Sequence, residues 1–124
     1  MKATDLMCGD WLLINGTPHK IQAIDSIDAE IQADEELYFV GEDRHHSEDK
    51  IEGIPITPEI LEKNGWRYDM DDMWQHEEVD FYIEKWNGRF QCYEINQIKL
   101  DSVHELQRAL RCCGLKDMAD NFKI

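Results

Sequence analysis

The amino-acid sequence predicts an α+β fold: a small curled antiparallel sheet, SH3-like by analogy, then β-hairpins and a C-terminal helix packed on the sheet. Three observations predict it. First, Asn15-Gly16 and Asn87-Gly88 each stand between apolar runs. Asn-Gly in that setting is a strong hairpin signal, because both turn positions tolerate positive φ. Second, Val103, Leu106, Ala109, Leu110 and Cys113 recur at three- and four-residue steps, the period of a helix with one apolar stripe. Third, the 124 residues are 42% hydrophobic and 32% charged, with four each of Trp, Tyr and Phe, which suits a soluble chain able to fill a core. That length implies a single compact domain over 1–124, with an N-terminal β unit at 1–50 and an α+β unit at 51–124 as sub-units.

The elements follow in order. Gly9-Asp10 leads into a strand at Trp11-Leu12-Leu13-Ile14, the Asn15-Gly16 turn, and a second strand from Pro18 to Ile24. Ala29 to Ala33 and Leu37 to Val40 read as third and fourth strands. Gly41 to Lys50 is a charged loop. Thr57-Pro58-Glu59 is an N-cap with proline at the first helical position, where its missing N–H costs nothing, so a helix is expected over Pro58 to Lys63, stopped at Asn64-Gly65. Trp66 to Tyr68 and Met73 to His76 read as strands around an acidic turn at Asp69 to Asp72.

Val79 to Trp86 and Arg89 to Ile95 form the second hairpin, with Trp86 facing Arg89, Ile83 facing Cys92 and Tyr82 facing Tyr93. One face holds Phe81, Ile83, Phe90 and Cys92, the other Tyr82, Trp86, Tyr93 and Ile95. Both are apolar, so a central hairpin covered on each side is expected. Trp86 and Arg89 are positioned for a cation–π contact worth about 0.5–1 kcal/mol if exposed. Ser102 and Glu105 have capping-box spacing at the start of the main helix. His104, Gln107, Arg108 and Arg111 fall on its polar side. Gly114 closes it, Leu115 to Asn121 adds a turn, and Phe122 and Ile124 dock back.

Charge is strongly polarised. The net formal charge is −14. Residues 25–80 carry 19 acidic and four basic side chains, a net of −15, and the two ends together carry +1. Such a surface repels phosphates and anionic lipid, which disfavours nonspecific nucleic acid or membrane binding. Its plain role is a solvated face that keeps the chain soluble. Its sharper role is an acidic patch that engages a basic partner or mimics DNA. The candidate interaction surface comprises Glu42, Asp43, Glu48, Asp49, Asp69, Asp71, Asp72, Trp86 and Arg89. No apolar run reaches the roughly 20 residues needed to span a bilayer, and the N-terminus lacks a signal-peptide core, so a cytoplasmic protein is expected. Cys8, Cys92, Cys112 and Cys113 form no CxxC pair. Adjacent helical positions point about 100° apart, so thiols rather than a Cys112–Cys113 bridge are expected.

No catalytic signature emerges. His104-Glu105-Leu106-Gln107-Arg108 begins like the zinc-protease motif HExxH, but Arg108 stands where the second histidine must reach the metal. His45-His46 lies among acidic residues without a declared distant ligand, and Asp69, Asp71 and Asp72 lack the rest of a calcium loop. GxSxG, P-loop and GxGxxG patterns are missing from the sequence. No catalytic residue, metal ligand or cofactor is therefore assigned.

Three segments carry a resemblance: Met1 to Leu6 with Gly9-Asp10-Trp11, Ile54 to Leu61 with Gly65-Trp66, and Val103 to Leu110. In that order they resemble uncharacterised small proteins encoded in genomes of gut Bacteroidales and in their phages and mobile elements. The resemblance spans the full length and is weakest between Asp25 and Lys50. It implies a compact accessory protein and supplies no catalytic residues.

The expected function is accordingly non-enzymatic: an accessory protein that binds another macromolecule, foremost a protein, through an acidic surface. The alternative is a small enzyme or metal-binding domain using His45, His46 or His76 with nearby carboxylates. Nucleic acid binding through Lys99, Arg108, Arg111 and Lys123 ranks last, because it must overcome the acidic middle.

Overall fold

The computed structural model describes residues 5–25, 27–40, 49–93 and 99–124. Among these the fold is α+β, with small antiparallel sheets that do not close into a barrel and short helices that include a C-terminal pair. SH3-like remains an analogy of pattern.

The first sheet contains β1 (Trp11–Ile14), β2 (Thr17–Lys20) and β6 (Ile51–Gly53), in the order β2-β1-β6. The Asn15-Gly16 turn joins β1 to β2 with φ of 51° and 82°, which pairs Ile14 with Thr17. The sequence suggests a second strand running unbroken to Ile24. Instead the chain switches sheets: Ile21 exchanges backbone bonds with Gly9 and Asp10, and Gln22 N–H then donates to Gln32 O. That switch starts the sheet β3 (Ala23–Asp25), β4 (Glu30–Ala33) and β5 (Glu36–Phe39). Its second hairpin turns at Asp34-Glu35 with φ of 50° and 67°, a glycine-type turn built without glycine. Leu6, Leu12, Ile14, Ile21, Ile31, Ala33 and Val40 form the small core of this half.

The larger core lies between the helices and a five-stranded sheet. Helix α1 (Pro58–Lys63) starts as expected, with Thr57 Oγ1 accepting from Ile60 N–H at 3.2 Å. The sheet orders β11 (Lys99–Leu100), β10 (Arg89–Cys92), β9 (Tyr82–Trp86), β8 (Met73–His76) and β7 (Trp66–Tyr68). The expected register holds at Trp86↔Arg89 and Ile83↔Cys92, because Asn87 and Gly88 both take positive φ. Trp66, Trp74, Phe81, Ile83, Phe90, Cys92 and Leu100 fill the inner side against α2 (Val103–Cys112) and α3 (Lys116–Asp120). Phe122 docks back into this core as the sequence suggests.

Helix α2 departs from expectation in four ways. Ser102 makes no capping bond to the backbone; its hydroxyl donates to Glu105 Oε1 at 2.7 Å, and Val103 N–H is taken by Ile54 O at 2.8 Å. The carbonyl just after β6, distant in sequence, thus satisfies the first N–H of the helix, and no capping box forms. Gln107, expected on the polar side, is fully buried. Its amide donates to Gly9 O and Ala119 O at 2.8 and 2.9 Å, while its oxygen accepts from Trp11 N–H at 3.0 Å. Arg111 is 8% exposed and pairs with Asp10, itself 1% exposed, at 2.5 Å. Cys113, assigned to the apolar stripe, caps the helix and is exposed. Gln107 and Arg111 therefore tie the two cores together, since Gly9, Asp10 and Trp11 lead into β1. Arg111 is spent on that task and is not offered to nucleic acid.

No helix among the described residues is long and apolar enough to cross a membrane.

Candidate interaction face

The alternation of β9 and β10 sends Ile83, Phe90 and Cys92 inward and Tyr82, Glu84, Trp86, Arg89, Gln91 and Tyr93 outward. The expectation that both faces are covered is not met at Trp86 and Tyr93, while Tyr82 is half-buried and Ile95 lies outside the described residues. Helix α2 lies on the inner side, whereas Trp86 is 61% and Tyr93 54% exposed. Tyrosine and tryptophan serve on such a face because each presents a large apolar ring with a polar edge. The pairing of β8 with β9 adds Met73 and Gln75 to the same outer side, beside Glu84 and Tyr82 respectively.

The turn from Asp69 to Asp72 folds at the end of β7 and β8. Asp69 N–H donates to Met73 O at 2.6 Å, and Asp72 takes φ of 56° so that its carbonyl accepts from Lys85 N–H at 2.8 Å. The Asp69 carboxylate accepts from Met70 N–H and from the Gln75 amide at 2.6 and 2.7 Å. Asp72 accepts from the Tyr68 hydroxyl at 3.2 Å, and that hydrogen bond holds the Tyr68 phenol above its ordinary pKa. Glu84 accepts from the Gln91 amide at 3.0 Å. Among the described residues none of Asp69, Asp71, Asp72 or Glu84 forms an ion pair with lysine or arginine.

The cations closest in register are engaged elsewhere. Arg67 pairs with Glu77 at 2.5 Å and donates to Glu62 O and Trp66 O. Lys85 sits over the Phe90 ring at 5.8 Å. The sequence positions Arg89 to stack on Trp86; its guanidinium instead forks onto Asp101, with contacts of 2.5, 2.6 and 3.0 Å. A bidentate carboxylate offers stronger, better directed bonds than an exposed ring. The Arg89 hydrogen bond holds the Asp101 carboxyl below its usual range, and Asp101 raises Arg89 in turn.

Five of the candidate residues, Asp69, Asp71, Asp72, Trp86 and Arg89, thus belong to the same five-stranded sheet and its turn. Asp49 belongs to the other half, where its carboxylate accepts from the Asn15 amide at 2.9 Å beside the first hairpin turn. Glu42, Asp43 and Glu48, and the histidines His45 and His46, lie outside the described residues. Tyr82, Tyr93, Met73 and Gln75 join the site only in the folded chain. Their signal in the sequence is the alternation of the second hairpin, which reveals an exposed face only once the helix is placed.

Of the histidines in the alternative reading, His76 lies among the described residues and has structural duties. His76 Nε2 donates to Asn64 O at 2.7 Å and its Nδ1 accepts from Glu78 N–H at 3.0 Å, with its ring edge-on to Trp66. This histidine lines a cleft of about 410 Å³ beside Glu77, Glu78 and the C-terminal residues. His104 contacts Ser102 Oγ at 3.0 Å, and burial pushes its pKa down. Among the described residues no three histidine, cysteine or carboxylate side chains converge as a metal site would require.

No family model, curated protein or solved structure matches this chain.

Proposed function

We propose that this protein is a non-enzymatic accessory protein that binds a basic protein partner through the outer face of its five-stranded sheet. The observation that carries the reading is the conjunction of exposed Trp86 and Tyr93 with four carboxylates that no lysine or arginine of the described chain neutralises. Aromatic rings supply apolar contact area at small entropic cost, and unpaired carboxylates select a partner of opposite charge. The net −15 over residues 25–80 attracts such a partner and repels nucleic acid phosphates. The resemblance carried by the three sequence segments supports an accessory role of phage or mobile-element origin.

The test is affinity capture from lysate of the source cells, with the wild-type protein and an Asp71→Lys/Tyr93→Ala variant as paired baits. A basic protein is expected to be retained by the wild type, lost from the variant, and weakened by salt as surface electrostatics are. Equal capture by both baits, or none at low salt, contradicts the proposal.

A further inference from the structure

The outer face is not uniform. Asp69, Asp71, Met73, Gln75, Tyr82 and Tyr93 line a shallow, open concavity of about 240 Å³. We propose that this concavity receives an arginine side chain of the protein partner, with the guanidinium against the tyrosine rings and its N–H groups on the aspartates. The inference rests on the reading of this face as a protein-binding surface and specifies what it recognises.

Each wall fits that occupant. The Tyr82 and Tyr93 rings meet edge to face at 75° with centroids 6.4 Å apart, and both tyrosines, each with an aromatic face, line the concavity. A guanidinium lies flat on such a face and still reaches a carboxylate in its own plane. Asp69 is already oriented by Met70 N–H and the Gln75 amide, one bond to each oxygen, which leaves each oxygen capacity to accept another. Asp71 is exposed at the rim. Met73 provides an adaptable thioether wall for the aliphatic stem. The chain's own Arg67, opposite Gln75 in register, is turned away onto Glu77. An ammonium is a compact, strongly hydrated charge that uses the planar walls less well, which favours arginine over lysine.

The experiment titrates a blocked Gly-Arg-Gly peptide into the whole labelled protein and follows backbone amide and tyrosine ring resonances. Peptides with citrulline or lysine in place of arginine serve as controls. Saturable shifts are expected at Gln75, Tyr82 and Tyr93, with no saturation by the citrulline peptide and weaker binding of the lysine peptide. Tyr93→Ala and Asp71→Asn, both at exposed positions, are each expected to weaken binding about three- to fivefold. Equal binding of the citrulline or lysine peptide, shifts centred elsewhere, or indifference to both variants would overturn the assignment. If the arginine peptide leaves this face unmoved while capture still depends on Tyr93 and Asp71, the arginine assignment fails and the broader reading stands. If the peptide binds specifically while capture is independent of the face, the arginine site stands and the broader reading fails.

Discussion

Gln107→Met removes every polar contact of a fully buried amide while keeping its length and volume. Three bonds disappear, but the three partners do not lose equally. Ala119 O also accepts from Phe122 N–H at 3.3 Å, so it retains a donor. Trp11 N–H and Gly9 O have Gln107 as their hydrogen-bond partner and are left unsatisfied beside the core. An unsatisfied buried group costs about 1–3 kcal/mol, so the pair predicts a loss of about 2–6 kcal/mol, less whatever local relaxation recovers. Urea unfolding followed by tryptophan fluorescence measures it as a lower midpoint with an unchanged slope. Arg108→Met, one residue along on the exposed side of the same helix, is the control and stays within about 0.5 kcal/mol of wild type. If Gln107→Met unfolds at the wild-type midpoint, the amide does not join the two halves in the way described here.

Three further outcomes are expected. Arg111→Met leaves Asp10 buried without its cation and lowers stability by about 3–5 kcal/mol, whereas Asp10→Leu/Arg111→Met recovers much of that loss, as a double-variant cycle in urea will read. Glu35→Gly relieves a positive φ in a two-residue hairpin and converts the turn to Asp-Gly, raising stability by about 0.5–1 kcal/mol in thermal unfolding. His104 has its folded pKa pushed below 6.5 by burial, so its contribution is complete above pH 6.5 and declines as pH falls from there through the folded pKa. His104→Gln therefore flattens the loss of stability as pH falls below 6.5, and an unchanged slope would show that this histidine does not govern it.

Much of the backbone is legible in the sequence because local chemistry decides it. Both Asn-Gly turns adopt positive φ and set their registers, and Thr57-Pro58 starts α1 where the capping rule places it. What escapes depends on residues far apart in sequence. Gln107 looks polar on a helical wheel, yet its partners stand 96 and 98 residues away. Arg111 looks like a dipole-matched surface cation until Asp10 arrives from 101 residues off. The Asp34-Glu35 turn carries no glycine to announce it, and Ile51–Gly53 becomes a strand only through pairing with β1.

The candidate face is half legible. Its carboxylates and Trp86 stand out by charge and size. Tyr82 and Tyr93 stay hidden behind the expectation that a helix or strand covers them. Arg89 pairs away from Trp86 because the pairing of β10 with β11 brings Asp101, the residue just after β11, beside it.

Site-specific photo-cross-linking locates the partner most directly. A photoreactive phenylalanine derivative is placed at Trp86, on the outer face, and separately at Leu37, exposed on the other sheet. Position 86 is expected to yield a discrete cross-linked protein, carrying basic residues at the cross-linked segment, and position 37 none. Cross-linking from position 37 alone, or equally from both, would contradict the assignment of function to this face.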